Sequence, residues 1–296
     1  MIIPNHIQIE TINGVCTSRC TMCSIGSWTR KPKRMSISQF RVILEKFLPY
    51  KDQIQFLSLQ GWGESLLDKG LPEKVRLAKS LGFKGIGFAT NCTELNNRTR
   101  RALLDAGLDT IICSIDGFTK ATHESIRVGT HFFEVVGNVL QYIHERDDRR
   151  QKSKVIVRFI RMKQNEHEWD KFKAWWTARL NKKRGDAVIS FDVVDCDGKI
   201  ADFGEKDVLQ GVEVPSRCDM LYERMIILST GEAVLCCADD EGKFNMGNVL
   251  KKDPIEIFNN ETFTHYRKMI KEGRINELEI CRTCTIPRSQ ARKDKV

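Results

Sequence analysis

The sequence has no long apolar run. Its apolar stretches fall well short of the roughly 20 residues that cross a bilayer. The opening segment, MIIPNHIQIE, has no basic stretch followed by an apolar core of the secretory type. We therefore expect a cytoplasmic protein with no membrane partner. Because the cytoplasm keeps thiols reduced, its 11 cysteines are expected to bind metal or take part in catalysis rather than form disulfides.

Low-complexity tracts and repeats of fixed period are also missing. A hydrophobic content of 41% and a charged content of 29% are typical of a globular protein with a substantial core. The formal charge is +9, but the basic runs at 28–34, 147–154 and 181–186 are scattered and carry no interleaved aromatics. We interpret them as solvated surface, which disfavours nucleic-acid binding and leaves an anionic substrate open.

A fourth cysteine is missing beside the first three. Cys16, Cys20 and Cys23 follow a C-x3-C-x2-C pattern, and the next cysteine is Cys92. Zinc and cubane iron–sulfur sites normally take four protein ligands. Three thiolates leave one iron of a [4Fe–4S] cubane open, as a catalytic metal requires. The alternative is a zinc site that lacks one ligand.

Strand-like and helix-like patterns alternate over the first two-thirds of the chain. Predicted strands lie at 6–12, 53–61, 84–91, 110–117, 154–162 and 186–195, and predicted helices at 36–50, 71–82, 96–108, 132–148 and 166–181. This alternation favours a parallel sheet with right-handed crossovers. Because six such units cannot close an eight-stranded barrel, we predict an α/β fold, a partial (β/α)6 TIM-like barrel. Functional residues should gather at the carboxyl ends of its strands.

The pattern changes after Gly198. We predict a barrel domain over 1–198, a linker over 199–217 and a small cysteine-bearing domain over 218–296. Within the last domain, 225–237 is predicted to be a hairpin that turns at Thr230 and Gly231, and 253–273 to be helical.

The cysteine loop after the first strand of a partial barrel resembles that of the radical S-adenosylmethionine (SAM) superfamily. The resemblance implies a [4Fe–4S] cluster on Cys16, Cys20 and Cys23, whose open iron binds SAM. An electron from a reductant such as flavodoxin or ferredoxin then cleaves SAM to a 5′-deoxyadenosyl radical. That radical takes a hydrogen atom from the substrate, while the protein positions and shields the chemistry.

Further segments extend this resemblance to SAM contacts. GWGES at 61–65 is similar to the family's Gly-Gly-Glu-Pro segment, with Trp and Ser replacing the first Gly and the Pro. SIDG at 114–117 is similar to the segment that lies by the SAM ribose, and a following arginine pairs with the SAM carboxylate, which suits a guanidinium fork. The implied SAM-binding residues are Trp62, Gly63, Glu64, Asn91, Ser114, Asp116 and Arg127.

A second cysteine set near the end of the chain resembles the SPASM/twitch extension of this superfamily. The implied ligands of one auxiliary [4Fe–4S] cluster are Cys218, Cys236, Cys281 and Cys284. No cysteine follows Cys284, which favours the shorter twitch form, and the layout is similar to that of aminocyclitol dehydrogenases in the family. A zinc ribbon is the alternative.

The auxiliary cluster suggests that the substrate loses a second electron. We therefore predict dehydrogenation of a hydroxyl-bearing small molecule, such as a sugar or aminocyclitol, with Asp195 as a candidate base. The alternatives are a sugar or peptide epimerase, with Cys196 or Cys237 donating the hydrogen atom, and a peptide-modifying maturase. The simpler interpretation of Cys237, which we prefer, is a small core residue. Other polar residues expected near the mouth are Asp197, Arg161 and Glu64.

Overall fold

A computed structural model describes residues 1–27, 29–193 and 216–286. One sheet dominates the part of the chain that it describes. Its strands are β1 (His6–Ile9), β2 (Phe56–Ser58), β3 (Ile86–Thr90), β4 (Thr110–Ser114), β5 (Lys154–Arg161), β6 (Ala187–Asp192), β7 (Arg224–Ile227), β8 (Glu232–Val234) and β9 (Asn245–Asn248). The α-helices are α1 (Ile37–Phe47), α2 (Leu71–Ser80), α3 (Asn97–Asp105), α4 (Lys120–Ile126), α5 (Phe132–Asp148), α6 (Trp169–Thr177), α7 (Asp219–Glu223), α8 (Pro254–Phe258) and α9 (Glu261–Lys271).

The first six strands form the predicted partial barrel. They lie side by side in chain order, β1 to β6, and each pair of neighbours is parallel. Alternate residues of a strand face opposite sides, and Ile7 and Ile9 of β1 enter the apolar core. Ser36 caps the amino end of α1, since its Oγ accepts a hydrogen bond of 3.1 Å from the Gln39 N–H.

The C-terminal strands continue this sheet. β7 pairs in parallel with β1, in the register His6 to Arg224 through Ile9 to Ile227, on the side of β1 away from β2. β8 and β9 then add in antiparallel order. The predicted hairpin turn is confirmed, and Gly231 has a φ of +93°, which other residues rarely adopt. The predicted domain limits stay predictions, because 194–215, most of the predicted linker, lies outside the described residues.

The prediction that 253–273 is helical is confirmed, with one break that was not predicted. The chain forms two helices, α8 and α9, with Asn259 and Asn260 between them. Asn260 Oδ1 accepts a hydrogen bond of 2.9 Å from the Phe263 N–H, so its side chain starts a new helix as an N-cap. The short helices α4 and α7 were not predicted, since each is under three turns and shows little periodicity. None of the described helices is long and apolar enough to cross a membrane.

Candidate active site

The cysteine loop begins just after the carboxyl end of β1. A short antiparallel pairing of Arg19 and Cys20 with Val128 and Arg127 holds the loop against the segment after α4. Ser18 Oγ lies 3.4 Å from the sulfur of Cys16 and 3.4 Å from that of Cys20. Two of the three predicted thiols therefore flank one hydroxyl.

A cavity of about 280 Å³ lies beside this loop. It brings together all three cysteines of the loop with six of the seven predicted SAM-binding residues. The predicted residues that line it are Cys16, Cys20, Cys23, Trp62, Gly63, Glu64, Asn91, Ser114 and Arg127. The location agrees with the rule that ligands bind at the carboxyl ends of parallel strands.

Glu64 ties the end of β2 to the end of β3. One carboxylate oxygen accepts hydrogen bonds from the Leu66 N–H at 3.0 Å and the Thr90 hydroxyl at 2.7 Å, and the other accepts from the Asn91 N–H at 2.9 Å. Burial raises the pKa of Glu64, and these three donors oppose that rise. The carboxylate thus faces the cavity with one of its roughly four acceptor positions unused.

Gly63 lets this segment pack closely against the cysteine loop. A Cβ at Gly63 would lie 3.0 Å from the Val15 carbonyl oxygen and 3.1 Å from that of Ile12. The Glu64 N–H donates to the same Val15 carbonyl at 2.9 Å. The glycine of the GWGE segment is therefore explained by this close approach. Ser65, which replaces the family's Pro, is buried and donates to the Leu59 carbonyl at 3.0 Å.

Asn91 reaches back to the cysteine loop. Its amide nitrogen donates to Thr17 Oγ1 at 2.8 Å and to Ser18 Oγ at 3.2 Å, and it lies 3.7 Å from the Cys16 sulfur. An amide donor beside a thiolate stabilises its negative charge. In this structure Asn91 supports the loop, in addition to facing the cavity.

Arg127 is a buried cation beside Cys20. Its Nε donates to Asp116 Oδ2 at 2.7 Å, and its Nη1 lies 3.6 Å from the Cys20 sulfur. Burial alone would lower the pKa of Arg127, but the Asp116 carboxylate and the Cys20 thiol raise it overall. Arg127 therefore stays charged, and its burial excludes a surface salt bridge.

Asp116 was predicted to lie by the SAM ribose. It is fully buried and does not line the cavity. Its carboxylate accepts hydrogen bonds from Arg127 and, at 2.7 Å, from the Ile160 N–H. The geometry makes Asp116 a positioning residue for Arg127.

The three-cysteine loop suits a [4Fe–4S] cluster. Burial raises the pKa values of Cys16 and Cys23, so their thiolates need the charge of a metal or a nearby donor. Asn91 and Arg127 supply hydrogen-bond donors to two of the three sulfurs. Donors to cluster sulfurs are a usual means by which a protein tunes such a cluster.

Arg158 of β5 lines the cavity and was not predicted. Its Nη2 donates to Ser114 Oγ at 2.6 Å, and within the described residues its buried Nε has no hydrogen-bond partner. Burial, and then the nearby Arg127, lower the pKa of Arg158 to about 10. The signal in the sequence was an arginine inside the apolar strand pattern. Arg161, which was predicted near the mouth, instead pairs with Asp192 at 2.5 Å and does not line the cavity.

The four C-terminal cysteines lie close enough to interact electrostatically, although Cys218 and Cys284 stand 66 positions apart in the sequence. All four are buried. Burial and then the neighbouring Cys284 thiol raise the pKa values of Cys218 and Cys281 to about 12. Among the residues that the structure describes, no three His, Cys, Asp or Glu side chains converge on the position of a single ion.

Cys237 does not line the cavity. It packs against the apolar cluster of Ile226, Leu228 and Val234. Burial raises the pKa of Cys237 to about 11, and the nearby Arg224 opposes that rise. The other predicted catalytic residues, Asp195 and Cys196, lie outside the described residues, as does Asp197.

The fold and the site define an iron–sulfur enzyme built on an open α/β barrel. The family model of the radical SAM superfamily matches residues 11–174, and that of SPASM, an iron–sulfur cluster-binding domain, matches residues 218–285. Because the first match spans more than half of the chain, this protein belongs to the radical SAM superfamily. Its cofactors are accordingly SAM, a SAM-binding [4Fe–4S] cluster and auxiliary iron–sulfur chemistry in the SPASM region.

Two characterised relatives match parts of the chain. The SAM-dependent 2-deoxy-scyllo-inosamine dehydrogenase of Niallia circulans is 32% identical over 78 residues, which are 26% of this chain and 31% of that protein. The 7,8-dihydro-6-hydroxymethylpterin dimethyltransferase of Methanocaldococcus jannaschii is 28% identical over 129 residues, 40% of this chain and 25% of that protein. The chain covers less than half the length of the curated relatives it matches.

Solved structures match nearly the whole chain. BtrN in complex with AdoMet and 2-DOIA has a TM-score of 0.63 at 17% identity, covering 95% of this chain and 93% of BtrN. The enzyme anSMEcpe with bound AdoMet has a TM-score of 0.70 at 15% identity, covering 98% and 96%. SuiB of Streptococcus suis, bound to its precursor peptide SuiA, has a TM-score of 0.70 at 12% identity, covering 97% and 71%. At these identities the likeness shows a shared fold.

Proposed function

We propose that this radical SAM enzyme oxidises a hydroxyl-bearing small molecule, a sugar or an aminocyclitol, to a ketone. The observation that carries the proposal is the complete set of four buried C-terminal cysteines. A cluster with four protein ligands has no open position for substrate, but it can accept an electron. The local similarity to an inosamine dehydrogenase supports the same reaction.

Different residues of the cavity would bind SAM and the substrate. Glu64 has an acceptor position left for the SAM amino group, and the Arg127 guanidinium is the partner for the SAM carboxylate. The SAM-binding cluster, when bound, would supply the electron that cleaves SAM, and the radical derived from SAM would remove a hydrogen atom from the substrate carbon. The alcohol becomes a ketone by also losing its hydroxyl proton and one electron.

Arg158 is the residue that we assign to the substrate hydroxyl. Its Nε, which has no hydrogen-bond partner in the part of the chain that the structure describes, and its place in the cavity wall leave it able to donate to an oxygen. It would hold that oxygen in one orientation, which is how a bound geometry accelerates a reaction. An anionic group on the substrate would be bound by the same donors. The base that takes the proton stays a prediction, with Asp195 as the candidate.

The electrons in this scheme need two routes. A flavodoxin or ferredoxin would deliver the electron that starts SAM cleavage, and the basic chain, with its formal charge of +9, is complementary to an acidic partner. The auxiliary cluster on Cys218, Cys236, Cys281 and Cys284 would receive the electron from the substrate. We assign one such cluster because four cysteines supply one set of ligands.

Replacing Arg158 by Met should impair turnover of the substrate and leave SAM binding intact. Loss of a charged hydrogen-bond donor to the substrate is expected to lower kcat/KM about 10- to 100-fold. The dissociation constant of SAM, measured by equilibrium titration, should stay within about twofold. Arg161→Met is the matched control, because Arg161 is half-exposed and pairs with Asp192 outside the cavity. Equal effects of both variants would remove Arg158 from the substrate site.

Turnover in deuterium oxide tests the reaction type. With 2-deoxy-scyllo-inosamine as the first probe, followed by other aminocyclitols and sugars, a dehydrogenase gives a ketone two mass units lighter, with no deuterium at the reacting carbon. An epimerase gives an isomer that carries one solvent deuterium, because thiol hydrogens exchange with solvent. The measurement is mass spectrometry of the product with NMR at the reacting carbon. A mass-neutral, deuterated isomer would overturn the proposal and favour Cys196 or Cys237 as hydrogen donor.

Peptide modification is a second candidate. Its support is the fold likeness to SuiB bound to SuiA and to anSMEcpe bound to the Cp18Cys peptide. Radical-dependent modification of a peptide, with no turnover of any polyol, would establish this candidate instead.

A further inference from the structure

A group of polar contacts joins the segment after the cysteine loop to the segment after Cys237. Ser24 Oγ donates to Asp240 Oδ2 at 2.6 Å, and Arg30 Nε donates to the Asp240 carbonyl at 2.8 Å. The backbone N–H and the hydroxyl of Thr29 both donate to Glu241, at 2.9 and 2.6 Å. We call these contacts between Ser24, Thr29 and Arg30 and the pair Asp240 and Glu241 the clasp.

A buried ion pair anchors the clasp. Glu10, fully buried just after β1, accepts two hydrogen bonds from the Arg30 guanidinium, at 2.7 and 2.9 Å. The same carboxylate accepts the Trp62 N–H at 3.2 Å and the Ser229 N–H at 2.9 Å. A bidentate pair has both strength and a defined orientation. Glu10 therefore joins the first strand, the SAM-binding segment and the C-terminal hairpin to Arg30.

The clasp lies close in sequence to an assigned ligand of each of the two clusters. Ser24 directly follows Cys23, an assigned ligand of the SAM-binding cluster, and Asp240 lies four residues after Cys236, an assigned ligand of the auxiliary cluster. Contacts so close to a ligand in each set leave little chain to absorb movement between them. The Arg30 guanidinium also lies 5.3 Å from the centre of the Trp62 ring, which lines the cavity.

We propose that the clasp is a positioning device that holds the SAM-binding loop closed on the auxiliary-cluster segment and so protects the cluster on Cys16, Cys20 and Cys23. The inference rests on the assignment of the cysteines in the proposed function, and it does not depend on the substrate. Electron transfer and radical chemistry both need a fixed geometry from which water is excluded. Ser24, Thr29 and Arg30 would supply it on this side of the cavity.

The test removes the exposed arm of the clasp and leaves the buried ion pair intact. In the double variant Thr29→Ala with Glu241→Ala, iron should leave the SAM-binding cluster roughly tenfold faster, because opening of the loop then meets less resistance. Iron release from the reduced holoprotein is measured under anaerobic conditions by the absorbance of a chelator that becomes coloured when it binds ferrous iron. The EPR signal that changes when SAM is added identifies which cluster has been lost. The rate at which iron leaves the auxiliary cluster should stay within about twofold of the wild-type rate.

A second variant and a control complete the experiment. Arg30→Met with Glu10→Gln removes both charges of the anchor, so no unpaired charge is left buried, and it should show the same selective loss. Lys46→Met is the matched control, because Lys46 Nζ also links the N-terminal and C-terminal parts, donating 3.0 Å to the Lys252 carbonyl, but it is not part of the cavity wall. Unchanged iron release, or equal loss of both clusters with a lower melting temperature, would overturn the proposal. A failed dehydrogenase assignment would leave this measurement unaffected, since no substrate is present.

Discussion

Replacing Cys16, Cys20 and Cys23 together by alanine should abolish SAM cleavage and leave the protein with about half of its iron. Two [4Fe–4S] clusters contain eight irons, so roughly four per chain should remain on the auxiliary site. The three thiols lie in one loop that lines the cavity, whereas the other four assigned ligands lie in the C-terminal region. Iron analysis of anaerobically reconstituted protein and a chromatographic assay for 5′-deoxyadenosine measure both results.

The control for this variant is a cysteine that we assign to neither set. Cys113 is fully buried in the apolar core, and Cys113→Ala should keep all the iron. The complementary variant, with alanine at Cys218, Cys236, Cys281 and Cys284, should keep about four irons and still cleave SAM if the fold survives. Full iron content in the triple variant, or zinc alone in the wild type, would contradict the assignment of the first site.

Replacing Arg127 by Met should raise the dissociation constant of SAM about 10- to 100-fold. The expected loss is that of a charge-assisted hydrogen bond to the SAM carboxylate, on the order of 1.5–3 kcal/mol. The same change also leaves Asp116 buried without its cation, which should lower stability by about 3–5 kcal/mol. SAM titration of the reconstituted protein and thermal unfolding measure the two effects separately.

The double variant Asp116→Asn with Arg127→Met separates binding from stability. Removal of both charges should recover most of the lost stability, and the carbonyl oxygen of the introduced asparagine could still accept the hydrogen bond that the Ile160 N–H now makes to Asp116 Oδ1. SAM affinity should stay low, because the guanidinium is still absent. If the double variant regains normal SAM affinity, Arg127 acts through the fold alone and does not contact SAM.

Much of the architecture could be predicted from local patterns. Apolar period and turn residues located all six barrel strands, although β2 is only Phe56–Ser58 while 53–61 was predicted. The hairpin turn at Gly231 followed from the same reasoning. The break within the helical segment 253–273 was not predicted, because the pattern on both sides of Asn260 is helical and only the cap shows the break.

Part of the candidate site could also be predicted from local motifs, and part could not. The cysteine spacing and the GWGE segment are local, and the residues that they identify do line one cavity. Arg158 was missed because a single arginine in an apolar strand does not reveal which side of the sheet it faces. Asp116 was assigned to the ribose from its motif, but its carboxylate is engaged by Arg127 and the Ile160 N–H.

By itself, the sequence determined the fold class, the two cysteine sets and the family, because each follows from residue spacings and patterns that are visible along the chain without knowledge of which segments pack together. Only the tertiary structure decided that β7 lies beside β1, that Arg158 faces the cavity and that Arg30 binds Glu10 while its neighbours reach Asp240 and Glu241. The physical reason is that these contacts depend on strand register and on which face of the sheet a residue occupies. Neither is encoded locally when the partners stand more than 200 positions apart, as Ser24 and Asp240 do.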